Sequence, residues 1–467
     1  MSVTIVGGGP VGLVLSIVLS SLDIENTVIE QDLDVYGLPR AIVMDAEIRH
    51  SLDRLGLKQR LDPILEPMMA ADFVDSVGQH VMGINLADLS LYGVPVVSKH
   101  FQPFLDAMLR DEARLRGASM IYGRQVVSHE QRIDTVIANL DDGGVVESEF
   151  LVACDGASSR TRKSEDIMLE DLGFDQDWLV VDLELSSRQF SNLPDVTRQV
   201  CDPRRPTTMV SGFRNFYRFE FQLQPGEDPE SMVKDAQIWE LLSGWISPSQ
   251  ARVIRRAAYR FHAVVAQTMR RGRVLLAGDA AHQMPPFMGQ GLNSGMRDAF
   301  NLGWKLAYVR REWCDQALLD FYGVERIPLV RSAVQQSVET GQLIDQLAGR
   351  SSHGISNNAG YGGSRRNESM STGVIVPSGE HVGKPYPFWH HIETAASDGF
   401  TILQSFNGAI AKSIGRVPVT GFELDSSLTF GQDCVILRPD GYVAAVCSRS
   451  DLSRTCSRLA ELLTVTT

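Results

Sequence analysis

Three glycines near the start of the chain have the spacing of a turn that binds the pyrophosphate of a dinucleotide. Gly7 permits a tight turn, Gly9 lets a phosphate approach the backbone, and Gly12 lets the next helix pack closely. Pro10 opens that helix, whose N-terminus offers unpaired N–H groups to the phosphates. Glu30, at the end of the next predicted strand, is placed to accept hydrogen bonds from a ribose diol. The pattern predicts dinucleotide binding rather than a purely structural glycine turn, but it does not distinguish NAD from FAD.

A second motif, in residues 278–293, distinguishes the two cofactors. Its candidate cofactor-binding residues are Asp279, Pro286, Gly289, Gly291, Leu292 and Asn293. An aspartate at a strand end can bind a ribitol or ribose hydroxyl. The glycine-rich stretch opens a long predicted helix over 294–309, whose N–H groups would face the pyrimidine end of a flavin, where negative charge develops on reduction. The alternative is a helix start without a ligand, but the co-occurrence of both motifs favours FAD.

A third motif, residues 154–160, places Asp155 after another predicted buried strand. Alone, an Asp-Gly turn that ends a strand is common and needs no ligand.

In this order and spacing the three motifs resemble the FAD fingerprints of the class A, single-component flavoprotein monooxygenases. The narrower resemblance is to the 3-(3-hydroxyphenyl)propionate hydroxylase group. It is carried by residues 39–41, 101–103, 151–156, 201–203, 218–221 and 278–305, and by 435–443, which resemble a strand–turn–strand of that branch's thioredoxin-like tail.

The resemblance implies a division of labour around FAD. Gly7, Gly9, Gly12 and Glu30 would hold the ADP half; Arg40, Gln102, Asp155 and Asp279 the ribityl and pyrophosphate region; and residues 291–293 the isoalloxazine. The implied enzyme of aromatic catabolism reduces FAD with NAD(P)H, forms a flavin C4a-hydroperoxide with O₂, and hydroxylates a phenolic substrate such as a 3-hydroxyphenylpropionate-like acid. A homodimer is left open.

Four residues outside the FAD motifs are candidates for acting on the substrate. Because a phenol reacts better as a phenolate, we expect a base or hydrogen-bond acceptor near its hydroxyl, and Tyr259, His262 and Tyr217 are the candidates. Arg218 could pair with a substrate carboxylate, although an ion pair with Glu220 or another acid is an equal alternative. A lone Tyr or His on a strand is more often ordinary packing.

Several competing readings stay open at this stage. A related flavoprotein could act on a polyketide-like or other fused aromatic, and a non-enzymatic FAD-containing binding or regulatory protein is a further alternative. The absence of a W-x-W-x-I-P segment disfavours a flavin halogenase. We interpret His282 as part of a turn rather than as a catalytic group. No metal site is predicted, since the spacing of His381, His390, His391 and Glu393 matches no standard one.

The hydrophobic pattern predicts an α/β fold that positions these motifs. Residues 1–165 and 269–345 form a discontinuous Rossmann-like FAD-binding domain, which by the resemblance is of the glutathione-reductase type. Residues 166–268, with part of 70–100, alternate in polarity and predict an antiparallel substrate-binding sheet. A Gly/Ser/Asn-rich linker at 349–375 precedes a small module at 376–467, thioredoxin-like by the same resemblance.

Composition limits the classes of protein to consider. The chain has 467 residues, of which 43% are hydrophobic and 22% charged, so it can build large cores and is not disordered. A net charge of −13 argues against a general nucleic-acid role. Its six cysteines form no C-x-x-C pair, which favours a reducing compartment, and the sequence starts without a signal-peptide pattern. We therefore expect a cytoplasmic protein.

Overall fold

The structure is a computed structural model that describes residues 2–190, 192–350, 369–388, 398–406, 408 and 410–464. A six-stranded sheet, built from segments within residues 3–153 and from residues 270–276, carries the predicted cofactor motifs. In spatial order the strands are β10 (Ser119–Tyr122), β2 (Asn26–Glu30), β1 (Val3–Val6), β14 (Phe150–Ala153), β21 (Val274–Leu276) and β20 (Arg270–Arg271). All of them run parallel except β20. Because β1, β14 and β21 are adjacent and parallel, the three motifs that follow them meet at one edge of the sheet.

Helices cover one face of this sheet and a small sheet covers the other. The covering elements are α1 (Pro10–Ser21), α4 (Gln102–Leu115) and α8 (Gln290–Arg310) on one side, and β11 (Val126–Gln131), β12 (Val136–Leu140) and β13 (Val145–Ser148) on the other. Helix α1 is buried along most of its length because it lies between the sheet and helices α4 and α8. Its nearly all-apolar sequence is what such a position requires.

An eight-stranded, mostly antiparallel sheet forms the second layer. Its order is β22 (His282–Gln283), β19 (Ala251–Ala266), β15 (Leu169–Leu185), β18 (Phe216–Gln222), β17 (Thr207–Ser211), β16 (Thr197–Cys201), β5 (Ala70–Asp75) and β6 (His80–Asn85). One face packs under the short helices α6 (Pro229–Met232) and α7 (Asp235–Leu242). The opposite face packs against α9 (Asp320–Leu347) and the residues before α8. Side chains that alternate along a strand therefore belong to different environments.

Short elements connect the two layers. They are β3 (Val43–Asp45), β4 (Leu65–Pro67) and β9 (Val97–His100) in one small sheet, the pair β7 (Ser90–Leu91) and β8 (Val94–Pro95), and the helices α2 (Ala46–Arg54), α3 (Lys58–Leu61) and α5 (Arg160–Ser164).

The described C-terminal part folds as a five-stranded sheet with one helix. Its strands, in spatial order, are β24 (Ser413–Ile414), β25 (Val417–Glu423), β23 (Phe400–Gln404), β26 (Cys434–Leu437) and β27 (Val443–Cys447), and the helix is α10 (Leu452–Leu463). The thioredoxin likeness of this module stays a prediction. Most of the predicted linker, together with His390, His391 and Glu393, lies outside the described residues.

Most predicted elements of the two N-terminal layers are present with small shifts at their ends. The long helix predicted over 294–309 begins earlier, at Gln290, because Gly289 adopts a left-handed conformation (φ 62°) and ends the preceding turn there. No helix in the described part of the chain combines the length and the apolar character needed to cross a bilayer.

Candidate active site

The first glycine turn is shaped by two close backbone approaches and one open position. A Cβ atom on Gly7 would lie 2.3 Å from the carbonyl oxygen of Cys154, and one on Gly12 would lie 2.1 Å from that of Gly7. Gly9, the residue before α1, would meet nothing within 4 Å. No described side chain caps α1, so its first N–H groups stay available to an anion. The turn therefore has the open, amide-lined space that a pyrophosphate needs.

Glu30 fixes the loop on the far side of this turn. Its carboxylate accepts hydrogen bonds from the backbone N–H of Gly8 at 2.6 Å and of Asp32 at 2.9 Å. Each carboxylate oxygen keeps a further lone pair, so Glu30 can hold the loop and still accept a bond from a ribose hydroxyl.

Asp155 presents an acceptor without a partner. One of its oxygens accepts bonds from the N–H and hydroxyl of Thr161, at 3.2 and 3.0 Å, while the other is buried and has no partner among the described residues. Arg162, just beyond, donates to the carbonyls of Ala157 and Ala280 and thereby joins this turn to the Asp279 turn. A buried unpaired carboxylate oxygen calls for a donor, and a ribityl or ribose hydroxyl would supply one.

Asp279 reaches solvent although protein surrounds it on most sides. That crowded setting raises the pKa of its carboxyl, against the opposing effects of His282 and Arg40. Asp298 fixes the turn that carries Asp279, because its carboxylate accepts a hydrogen bond from the N–H of Gly278 at 3.0 Å. An exposed carboxylate on a rigid turn is suited to bind a hydroxyl group.

Asp298 also hydrogen-bonds to His282. This structural contact accounts for the presence of His282 beside Asp279 without giving it a catalytic role. The His282 Nε2 to Asp298 Oδ2 distance is 2.7 Å, and Arg326 Nε donates to the other oxygen at 2.7 Å. Burial alone would raise the pKa of Asp298, but His282 and Arg326 hold it below its usual value. Sequence reasoning missed the roles of Asp298 and Arg326, since their partners lie 16 to 28 residues away along the chain.

The start of α8 provides a second uncapped helix end. Gly289 precedes it, no described side chain caps it, and a Cβ on Gly291 would meet nothing within 4 Å. The Asn293 side chain is turned toward β3, where it accepts from Asp45 N at 3.0 Å, and it also donates to Gly289 O at 2.8 Å. What this helix end offers is therefore its backbone N–H groups, rather than the Asn293 amide. Pro286 and Leu292 are half-buried beside it.

Arg40 and Gln102 lie near the start of α4. Gln102 accepts a bond from Ala41 N at 2.7 Å and donates to Asp106 at 3.1 Å, so both ends of its amide already have protein partners. Burial raises the pKa of Asp106 to about 7. Arg40 is exposed, with its guanidinium 4.3 Å from the centre of the Tyr36 ring. Arg40 is free to reach an anion, whereas Gln102 would have to exchange a partner.

Arg218 is already saturated by groups of the protein. It pairs with both oxygens of Asp182, at 2.7 and 3.0 Å, and donates to the carbonyls of Arg40 at 2.7 Å and Pro39 at 3.4 Å. Its distance to Glu220 is 3.7 Å. The predicted alternative of an ion pair therefore describes Arg218 here, with Asp182 as the main partner. The Arg218 side chain thereby links the sheet to the 39–40 loop.

Tyr259 lies on the same face of the sheet as Arg218. The register pairs Asp182 with both Arg218 and Arg255, and pairs Trp178 with Tyr259, which places all five side chains on one face. The Tyr259 hydroxyl accepts a bond from the Arg255 guanidinium, and the residue is 39% exposed. Tyr259 thus combines solvent access with a charged partner at its hydroxyl.

Tyr217 and His262, the other two candidates for activating the phenol, point to the opposite face of the sheet from Tyr259. Tyr217 is buried among the aromatic rings under α7, and its hydroxyl donates to Pro194 O at 3.0 Å. Burial raises its pKa. His262 is exposed and lies 3.8 Å from Asp175. Odd and even positions of a strand face opposite sides, so neither residue shares a surface with Tyr259.

The face of the sheet that carries Tyr259 meets the cofactor motifs through aromatic and backbone contacts. The Phe287 ring, just before α8, lies edge-on to Trp178 with 5.4 Å between ring centres. Arg218 contacts the 39–40 loop on the other side. The surface around Tyr259 therefore lies between the 39–40 loop and the residues just before α8, and both of these segments adjoin residues predicted to bind FAD. Ligands commonly bind in such a crevice between layers.

Comparison with known proteins gives this geometry a family. Residues 1–337 match the model of the family described as FAD binding domain. A probable NADH-specific resorcinol 4-hydroxylase of Rhodococcus jostii (strain RHA1) is 34% identical over 350 residues, which cover 73% of this chain and 65% of that protein. A 3-(3-hydroxy-phenyl)propionate/3-hydroxycinnamic acid hydroxylase of Escherichia coli (strain K12 / DH10B) is 34% identical over 354 residues, covering 74% and 62%. The chain thus spans a little under two thirds of the length of these relatives.

Solved structures confirm the predicted fold class. The complex of aklavinone-11 hydroxylase with FAD and aklavinone superposes with a TM-score of 0.83 at 20% identity, covering 99% of this chain and 98% of that one. The flavin-dependent monooxygenase PieE, in complex with FAD and substrate, gives 0.82 at 19%, with the same coverage. At such identities the likeness concerns the fold alone. The resemblance to flavoprotein hydroxylases that the motifs indicated is confirmed by the relatives at 34% identity.

Proposed function

The chain belongs to the family of the FAD binding domain, and on this premise we propose that it is an NAD(P)H-dependent aromatic monooxygenase that hydroxylates a small phenol. When bound, FAD supplies the redox chemistry: it accepts electrons from the nicotinamide and uses them to activate O₂. The protein has to bind and orient FAD and substrate, exclude water and control the protonation of the phenol.

The observation that carries this proposal is the meeting of three motifs at one sheet edge. Two uncapped helix ends, those of α1 and α8, lie at the same edge as Asp155, with its buried unpaired oxygen, and the exposed Asp279. Amide-lined helix ends suit the pyrophosphate and the electron-rich ring of FAD, while the carboxylates suit its hydroxyl groups. The residues present therefore fit FAD.

We place the substrate on the face of the sheet that carries Tyr259. The Tyr259 hydroxyl would accept or share the hydrogen bond of the phenol hydroxyl, and Arg255, which also pairs with Asp182 at 3.1 Å, would hold the Tyr259 hydroxyl in place. Trp178 and Phe287 are buried against each other and against α9 on this face, so they would support the substrate site from behind.

The electrostatics of this face favour a phenol without a carboxylate. A substrate carboxylate needs a cation that is not already paired. Arg218 is saturated by Asp182 and two carbonyls, and the exposed Arg40 of the adjacent loop is the cation that we assign to the pyrophosphate of FAD. Resorcinol, the substrate in the name of the Rhodococcus relative, lacks a carboxylate; the E. coli relative's substrate carries one. We therefore propose a resorcinol-like substrate over a 3-hydroxyphenylpropionate-like one, and NADH, named for the same relative, as the reductant.

A panel experiment tests the substrate class. The purified protein is loaded with FAD, and NADH and NADPH oxidation is followed with resorcinol, 3-(3-hydroxyphenyl)propionate and a fused polyphenol. The proposal expects the strongest stimulation, with a hydroxylated product, from resorcinol. Stimulation by the fused polyphenol alone would favour the polyketide-like alternative, and bound FAD without stimulation by any phenol would favour a binding protein.

A further inference from the structure

Three of the six cysteines lie together in the C-terminal module, away from the cofactor motifs. Cys434 of β26 and Cys447 of β27 stand directly opposite each other in the antiparallel ladder. Cys456 lies on α10, which contacts β27. No C-x-x-C spacing announces this cluster, because the strand register brings the thiols together.

All three thiols lie between the sheet and α10. On β26, Cys434 shares its face with Ile436, and on β27, Cys447 shares its face with Ala445. Ile436 and Ala445 belong to the same apolar cluster as Cys456. The side chains of Cys434 and Cys447 therefore project to the same side rather than to opposite sides of the sheet.

Directly opposed residues of an antiparallel pair have the separation that a disulfide needs. Their Cα atoms lie about 4.5–5.5 Å apart, within the range of about 4.4–6.8 Å found for disulfides. A bond between Cys434 and Cys447 thus needs rotation of side chains and no movement of strands.

Cys447 is the more reactive member of the pair. The neighbouring Cys434 thiol lowers the pKa of Cys447, and Thr455 acts in the same direction, although burial opposes both. The adjacent Cys447 and burial together raise the pKa of Cys434. One thiol is therefore prepared to act as a nucleophile and the other to stay protonated.

A groove gives small molecules a way to the cluster. It has a volume of about 480 Å³ and is lined by Cys456, by Ser453 and Ser457 of the same helix, and by Arg449 and Phe406. Cys447 itself keeps 9% of its surface exposed, whereas Cys434 is fully buried. The groove therefore reaches the cluster at Cys456, and of the two opposed cysteines Cys447 lies nearer to solvent.

We propose that Cys434 and Cys447 form a reversible dithiol–disulfide pair that hydrogen peroxide oxidises. The Cys447 thiolate attacks one peroxide oxygen and the O–O bond breaks. The leaving hydroxide takes up the proton that the Cys447 thiol had released, so that a sulfenic acid and one water form. The Cys434 sulfur then attacks the Cys447 sulfur, the S–O bond breaks, and a second water leaves as the disulfide forms. Two thiols lose two electrons and two hydrogens in total, and one peroxide becomes two waters.

The disulfide would close the base of a hairpin whose tip contacts the cofactor domain. Between the two cysteines, Arg438 pairs with Glu325 of α9, and Tyr442 donates to Glu47 of α2 at 2.8 Å. The oxidation state of the pair thus bears on the segment that connects the two parts of the molecule.

Peptide mapping of the full-length, FAD-loaded protein tests the assignment. The protein is treated with hydrogen peroxide, quenched with catalase, unfolded in iodoacetamide and digested with trypsin. Both cysteines fall in the peptide 417–449, because trypsin does not cut between Arg438 and Pro439, while Cys456 falls in 455–458. We expect the peptide 417–449 to be lighter by two hydrogens and unalkylated. After reduction with dithiothreitol, a second iodoacetamide treatment should add two alkyl groups to it.

Variants identify the partners. Cys447→Ser should abolish the oxidised peptide and leave Cys434 alkylated, whereas Cys456→Ser and the distant control Cys314→Ser should keep the full yield. Two alkylated thiols in 417–449 after peroxide treatment of the wild type would overturn the proposal. A cross-link between 417–449 and 455–458 would overturn it as well, since it would assign Cys456 as the partner.

Discussion

At the scale of single residues, Tyr259 differs from Tyr217 and His262 because the guanidinium group of Arg255 donates a hydrogen bond to its hydroxyl. Tyr217 donates to a backbone carbonyl inside a core, and His262 faces solvent beside an acid. Only a group that reaches a substrate and can respond to its proton is useful for activating a phenol. The strand register, rather than residue type, separates these three candidates.

Replacing Tyr259 tests its role in activating the phenol. In Tyr259→Phe we expect kcat for hydroxylation to fall by roughly 10²-fold or more, the range typical for the loss of a proton-transfer group. FAD content should be unchanged, since the contacts that the structure describes for the Tyr259 side chain are with Arg255 and Phe261. Stopped assays with product quantification, and FAD absorbance of the same sample, measure both.

Tyr217→Phe is the matched control for that substitution. It removes the same hydroxyl from the opposite face, so kcat should stay close to the wild-type value while stability falls by about 1 kcal/mol through the lost bond to Pro194. Equal losses of kcat in the two variants would remove Tyr259 from the mechanism.

Asp298 is predicted to act through the Asp279 turn rather than by contact with FAD. In Asp298→Asn, His282 and Arg326 lose their charged partner, and we expect a loss of about 3–5 kcal/mol of stability together with weaker FAD binding. Urea unfolding and FAD titration measure the two effects. Asp175→Asn, with a 61% exposed side chain, should change neither; unaltered FAD affinity in a folded Asp298→Asn would contradict the positioning role.

At the scale of elements, the glycine turn before α1 contains one glycine that is needed for packing and another that is needed for ligand binding. A side chain at Gly12 would collide with the Gly7 carbonyl, but one at Gly9 would enter open space, and Gly9 has an ordinary extended conformation (φ −74°). The two glycines therefore carry different functions although one motif contains both.

This separation predicts opposite outcomes for two valine substitutions. Gly9→Val should still fold, with apoprotein stability lower by about 1 kcal/mol because valine is a poor N-cap residue, yet fail to retain FAD. Gly12→Val should not fold, because the helix cannot move away from the sheet. Circular dichroism and flavin absorbance distinguish these outcomes, and retention of FAD by Gly9→Val would show that the pyrophosphate does not approach there.

The first layer could be predicted from the sequence because local signals mark its elements. Contacts between residues far apart in the chain could not be predicted, because no local signal marks them. The strand–turn–helix segments at residues 3–21 and 274–310 were predictable because glycines, prolines and apolar runs mark them locally. The Asp182–Arg218 pair was not, because its members stand 36 residues apart and only the sheet register joins them. The Asn293 side chain was assigned to the flavin, since no local pattern reveals a partner strand 248 residues away.

At the scale of the whole molecule, a buried ionic network joins the C-terminal module to the cofactor domain. Lys305 of α8 and Glu325 of α9 pair at 2.7 Å, and Arg438 contacts both Glu325 and Asp440, all with side chains at most 1% exposed. Trp304 donates to Asp440 at 3.2 Å. Because α8 and α9 begin or end next to the site, the module is coupled to the cofactor layer.

Breaking this network should be costly. In Arg438→Met, Glu325 and Asp440 lose a fully buried cation, and we expect a loss of about 3–5 kcal/mol measured by urea unfolding. Arg454→Met, whose side chain is 88% exposed, is the control and should change stability by less than about 0.5 kcal/mol. A cost in Arg438→Met no larger than in the control would mean that the network does not hold the module.

The same network predicts a pH dependence. Although burial opposes it, Arg438 and Lys305 lower the pKa of Glu325 from 4.5 to about 2. A carboxyl with a depressed folded-state pKa stabilises the fold above its unfolded pKa, and that stability is lost as the pH falls from about 4.5 toward about 2. Unfolding midpoints should fall across this window in the wild type and less steeply in Glu325→Gln.

Oxygen-isotope incorporation tests the hydroxylase assignment most directly. The FAD-loaded protein is given NADH and resorcinol under ¹⁸O₂ in ordinary water, and the aromatic product is analysed by mass spectrometry. The proposed function predicts a product with one added oxygen atom that comes from ¹⁸O₂. Oxidation of NADH without any labelled aromatic product, across the whole phenol panel, would contradict it.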